Sequence, residues 1–114
     1  MGDSKQQQKD RWQSLTLMVH QEIAHVTAAD NRLASKWQLV SLPTEAANTL
    51  QVCLMEGLTP VAYCYLRHND VGLVTVSLRP LGGSQPAPFP VGSVGRERIR
   101  SLLTTFVKER LSGV

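Results

Sequence analysis

Between Leu50 and Pro80 the chain reads LQVCLMEGLTPVAYCYLRHNDVGLVTVSLRP. Three short runs rich in β-branched and aromatic residues are separated there by Gly, Pro, Asn and Asp, and no helical pattern competes. The stretch therefore predicts a three-stranded antiparallel meander onto which everything else must pack. Leu50, Val52 and Leu54 alternate with Gln51, Cys53 and Met55, the period-two signature of a strand with two unlike faces. With Gly57 to Pro60 as a four-residue loop, Leu54 lies opposite Tyr63, Val52 opposite Tyr65 and Cys53 opposite Cys64. With Asn69-Asp70 at the second turn, Tyr65 meets Val74 and Tyr63 meets Val76. Both turns then assign one core face: Leu50, Val52, Leu54, Val61, Tyr63, Tyr65, Val74, Val76 and Leu78.

The flanks supply helices. From about Lys9 to Ala29 the apolar residues Trp12, Leu15, Met18, Val19, Ile23, Val26 and Ala29 recur at steps of three and four, and from Arg96 to Leu111 so do Ile99, Leu102, Leu103, Phe106, Val107 and Leu111. Residues 1 to 8 are polar and Gln-rich and are expected as a disordered tail. Trp37 to Leu42 reads as a first strand ended by Pro43. Leu81 to Gly95, LGGSQPAPFPVGSVG, is expected as a long loop with neither ladder nor helix, its Phe89 packing back onto the domain. The fold class is thus α+β, one domain over residues 9 to 114, with an antiparallel sheet of three to four strands between two helices.

Composition sets bounds on partners. Twelve Lys/Arg against nine Asp/Glu leave a net charge of +3. Residues 96 to 114 carry five cations and two acids, so almost all the excess sits at that end. No apolar run nears the roughly 20 residues of a membrane span, and the first residues lack a secretory core, so the expectation is a cytoplasmic protein. Two cysteines without metal-ligand spacing are expected to be free thiols.

Few residues carry chemistry. Glu22 interrupts the apolar stripe of the first helix, with His25 as a local partner. As a functional group it is an acid or base with a raised pKa; as a structural one it is held by a backbone donor or an arginine. HQEIAH is not a zinc-protease motif, because histidines five apart point about 140° from each other on a helix. Glu22 and His25 match one step of a di-iron helix pair, yet the second copy and the further glutamates are missing. No nucleophile with a base, no metal set and no cofactor loop is present in motif form. Arg96, Arg98 and Arg100 open the final helix against its macrodipole, and together with a Gly/Ser-containing loop they form a candidate anion or nucleic-acid site.

The sheet face opposite the tyrosines carries Gln51, Cys53, Met55, Ala62, Cys64, Leu66, Leu73, Thr75, Ser77 and Arg79, with one charge among ten residues. A solvated antiparallel face ordinarily carries Lys, Glu and Thr, so this composition indicates an interface, with Cys53, Met55, Ala62, Cys64, Leu66, Leu73 and Thr75 as contact residues. The leading expectation is a non-catalytic interaction or assembly module, a homodimer or the binder of a protein partner, needing no cofactor. The second is RNA or other nucleic-acid binding. The element order is similar to that of double-stranded RNA-binding domains and of the Alu-binding subunits of the signal recognition particle, which implies such a role on fold analogy alone. The third is a small-ligand carrier or enzyme using Glu22 and His25.

Overall fold

The computed structural model describes residues 2–34, 36–42, 44–79, 86–92 and 95–112, with side chains from Gln6 onward, Ala34 excepted. Helix α1 spans Gly2–Ala29 and is followed by a 3-10 turn at Asn31–Ala34. Strands β1 (Trp37–Leu42), β2 (Thr49–Glu56), β3 (Thr59–His68), β4 (Leu73–Arg79) and β5 (Phe89–Pro90) precede α2 (Arg96–Leu111). The strands form one antiparallel sheet in sequence order.

Residues 2–8, expected as a tail, instead open α1. Lys, Gln and Asp cost little once a packed segment has nucleated the helix, and Gln6 Nε2 donates to Asp10 Oδ1 at 3.0 Å, one turn on. Within the expected loop, 81–85 and 93–94 lie outside the described residues. Phe89 packs back as expected and is buried. Its backbone also adds a short fifth strand, pairing with Val74 while Pro90 pairs with Leu73. Proline is tolerated there because β5 is an edge.

The helices lie on the same side of the sheet. Trp12, Leu15, Val19 and Val26 of α1 and Ile99, Leu103, Phe106, Val107 and Leu111 of α2 share one contiguous core with Leu39, Val52, Leu54, Val74, Val76 and Leu78. Of the expected stripes, Met18, Ile23 and Leu102 are only partly buried, and Ala29 is exposed.

The central strand is turned the other way from expectation. Val52 pairs with Cys64 and Leu54 with Ala62, while Cys64 pairs with Leu78 and Leu66 with Val76. Ala62, Cys64 and Leu66 therefore face the helices at 1 %, 0 % and 0 % exposure, and Val61, Tyr63 and Tyr65 take the outer face. Both turns differ from the expected ones. The first is a two-residue turn at Gly57-Leu58, with positive φ (62°) at the glycine alone, the pattern in which glycine leads a type II′ turn. A bulge between Leu54 and Met55 adjusts the register beyond it. The second turn runs through to Gly72, whose φ is 81°. It is set by Asn69 Oδ1, which accepts from the N–H groups of Val71 and Leu73 at 3.0 Å each. Each slip is odd in residue count, so each inverts β3 relative to a neighbour and the two errors agreed with one another. The cysteines, expected opposite each other, are both free and lie on different faces, Cys53 opposite Tyr63 and Cys64 opposite Val52.

This assignment predicts an asymmetry between adjacent residues. Leu66→Ala should cost about 2–5 kcal/mol, as for a fully buried leucine, and Tyr65→Ala about 1 kcal/mol or less, both measured by urea denaturation. The inverse order would place β3 in the register expected from sequence.

Candidate functional site

The two charged features singled out by sequence meet each other. Glu22 falls on the inner side of α1 between Val19 and Val26 and is 0 % exposed. Arg96 and Arg100, one turn apart at the start of α2, close over it. Arg100 Nε donates to Oε1 at 2.6 Å, and Arg96 Nη1 reaches Oε2 at 3.5 Å. The two arginines are half-exposed, at 53 % and 50 %, so the carboxylate sits just under the surface beneath a cationic roof. The Arg100 hydrogen bond holds the Glu22 carboxyl below its ordinary pKa against the opposing effect of burial. The charges of Arg100 and His25 and the Arg96 bond act in the same direction. Glu22 thus has the pKa of an ion-paired carboxylate, opposite in direction to the raised value that acid or base catalysis requires.

The expected anion site is correspondingly divided. Arg96 and Arg100 hold an anion supplied by the chain itself, and Arg98 points elsewhere, its guanidinium 5.2 Å from the Phe89 ring centroid. His20 turns away from His25 and pairs with Ser41, Nε2 to Oγ at 2.8 Å. Among the described residues, no group of three or more His, Cys, Asp or Glu side chains is placed to hold a metal ion.

The remaining candidate is the outer face of the sheet. Alternation places Val40 and Leu42 of β1, Cys53 and Met55 of β2, Val61, Tyr63 and Tyr65 of β3, and Leu73, Thr75 and Ser77 of β4 on it, opposite the side that packs on the helices. Of the seven expected contact residues, Cys53, Met55, Leu73 and Thr75 are there. Ala62, Cys64 and Leu66 are not: the inverted pleat of β3 puts them in the core. Their places are taken by Val61, Tyr63 and Tyr65, which the four-residue loop had turned inward. The signal that could have placed them is Gly57, in the first central position of a two-residue turn.

Tyr63 and Tyr65 stack on each other with ring centroids 5.8 Å apart and planes at 19°. Cys53 lies directly opposite Tyr63 and is fully covered although no helix lies over it; burial raises its thiol pKa. Cys64, beneath the helices, is pushed up to about 12 by burial. Neither is disposed to react as a thiolate at neutral pH. The charged side chains that alternation places on this face are Arg67 beyond Tyr65 and Arg79 opposite Tyr63; no described carboxylate joins them. A centre of Met, Cys, Val and Tyr without Lys, Glu or Asp is the composition of an interface core. No helix of the described residues is long and apolar enough to cross a membrane.

Comparison of the chain with protein-family models, with curated proteins and with solved structures finds no match.

The Glu22 cluster carries two expected outcomes. Arg100→Ala should lower Tm more than the Glu22→Gln/Arg100→Ala double variant does, because the single change strands a buried carboxylate. A folded-state pKa below the unfolded value of about 4.5 makes the Glu22 contribution present above that pH and lost as the pH falls through the folded value. The Tm difference between wild type and Glu22→Gln should therefore be constant from pH 7 to about 5 and shrink in more acidic buffer. A difference that grows on acidification would show the sign to be wrong.

Proposed function

We propose that the protein is a non-catalytic assembly module that self-associates through the outer face of its sheet. The observation carrying this reading is that both helices pack on one side and leave the other without a helix over it, with Val40, Met55, Tyr63 and Tyr65 part-exposed around a buried Cys53. A monomer gains nothing from keeping such a surface in water, whereas a second copy removes it from water on both partners.

Charge chooses the orientation. Arg67 and Arg79 lie on β3 and β4, and Gln38 and Gln51 on β1 and β2. A two-fold axis parallel to the strands lays β1 over the partner's β4 and β2 over its β3, so that Arg79 comes over the level of Val40 and Arg67 over that of Thr49, both uncharged. An axis across the strands would set arginine against arginine. The first arrangement gives an isologous, closed dimer with the tyrosine stacks near its middle.

A second reading draws on the tyrosine pair. Two stacked rings on an open sheet flanked by two arginines suit unpaired bases, with aromatic faces for stacking and cations for phosphate. This site would replace the start of α2, where Arg96 and Arg100 are engaged with Glu22 and Arg98 lies over Phe89.

One variant separates the two. By light scattering at micromolar concentration the wild type should have twice the chain mass, and Tyr63→Asp should be monomeric with an unchanged circular dichroism spectrum. A monomeric wild type at about 100 μM would overturn self-association. Salt-sensitive binding of a single-stranded oligoribonucleotide, lost in Tyr63→Ser and weakened in Arg67→Ala, would instead establish the second reading.

A further inference from the structure

At the end of the sheet farthest from the Gly57 turn, α1 runs past the loops before β2 and after β3 and overhangs them. The space beneath is a groove of about 820 Å³, lined among others by Lys9, Trp12, Gln13, Asn48, His68 and Asn69. That volume falls in the range of small-molecule sites. The groove lies on the helix side of the sheet and shares none of the residues assigned to assembly.

Its wall is built with more care than a surface crevice needs. Trp12 and His68 lie nearly parallel, with centroids 5.6 Å apart and planes at 17°. The indole is fixed by its Nε1–H, which donates to the Ala47 carbonyl at 3.0 Å. The His68 backbone is tied to Asn48 twice: its N–H donates to the Asn48 carbonyl at 2.9 Å, and its carbonyl accepts from Asn48 Nδ2 at 3.0 Å. Against this rigid frame, His68 Nε2 is buried with no hydrogen-bond partner among the described residues. A buried polar atom without a partner is costly and rare, and it calls for an explanation. Beside it, Asn69 has committed its Oδ1 to the turn, which leaves its amide nitrogen as a donor for something else.

We infer that the groove binds a neutral, planar nitrogen heterocycle of the nucleobase type, held against the Trp12–His68 wall and hydrogen-bonded to His68 Nε2. The flat wall selects an aromatic ring. The imidazole nitrogen accepts or donates according to tautomer, and the Asn69 and Gln13 carboxamides complete a set of mixed donors and acceptors such as an alternating heterocycle edge needs. Lys9 and Asp70, one of each sign, line the same groove, so the site has no net charge with which to select an ion.

The chain has two tryptophans, and Trp37→Phe leaves Trp12 as the sole indole reporter. In that background, titration with adenosine, guanosine, uridine and cytidine should give saturable quenching of Trp12 fluorescence with at least one nucleoside. His68→Phe keeps a flat ring beside the indole and removes only the nitrogen. It should weaken binding tenfold or more while leaving Tm unchanged or higher, a combination that a purely structural histidine would not give. The two sources of such a base are separated in a Tyr63→Ser/Tyr65→Ser protein, which disables the sheet face. Equal affinity for a nucleoside and for its octanucleotide assigns the free base, and tighter binding of the octanucleotide assigns the strand. No saturable quenching by any of the four nucleosides at millimolar concentration, or undiminished binding by His68→Phe, overturns the inference.

Discussion

What the architecture depends on is the pleat of β3. This strand lies in the middle of the sheet, and whichever of its faces turns toward α1 and α2 decides the identity of the core and of the free surface together. Ala62 and Cys64 are small, and both are fully buried beneath the helices. They lie between Val52 and Leu54 on one side and Leu78 on the other, so the sheet is low along its centre, where two helices must approach, and taller at its flanks. The opposite pleat would have put two phenol groups into that contact. Each brings more volume and a hydroxyl that needs a partner when buried. Packing geometry and polar satisfaction thus favour the same solution, and the tyrosines are left outside.

The second constraint is electrostatic and links the helices to each other. Three arginines near the start of α2 oppose its macrodipole, and Gly95 provides no side-chain cap. Glu22 answers both problems at once. Its carboxylate brings a negative charge toward the positive end of α2, and it pairs with Arg96 and Arg100, which would otherwise repel that end and each other. The cost is a carboxylate removed from water inside an apolar stripe, and a leucine there would pack without it. What a leucine would not provide is registry. With Glu22 between two cations one turn apart, α2 cannot slide or rotate along α1 without breaking a buried ion pair.

Much of this was legible in the sequence. The helical stripes, the order of elements and the boundaries of β1 and α2 follow from periodicity, because a period of 3.6 or 2 is imposed by the backbone itself. The faces of the sheet were not, because a one-residue change in a turn inverts a strand and leaves its apolar count nearly unaltered. Val61, Tyr63 and Tyr65 are as hydrophobic on paper as Ala62, Cys64 and Leu66, and only size and the phenol hydroxyls tell them apart. Nor was the Glu22 clamp legible as a pair. Its members are more than seventy residues apart, and although an arginine was one of the partners open to Glu22, nothing in the sequence says which arginine it is. Their meeting explains the misplaced carboxylate and the basic helix start without any ligand. His68 escaped notice for the opposite reason: a histidine at the end of a strand has no pattern to violate, and its oddity exists only once its surroundings are known.

The distinction between cancelled and uncancelled anomalies also orders the functional questions. Glu22, Arg96 and Arg100 violate local rules and compensate one another, so the molecule holds an internal reason for each. The tyrosine face and the buried nitrogen of His68 are compensated by nothing among the described residues: one leaves aromatic surface in water, the other leaves a polar atom without a bond. Each is a small standing loss in a domain of marginal stability. They lie on opposite sides of the sheet, so neither explains the other. An apolar, sparsely charged surface is matched by a surface of the same kind, and a single buried acceptor or donor beside a flat wall by a small polar ring. In the proposed assembly a second copy removes the first of these losses, and in the proposed groove a small polar ring removes the second.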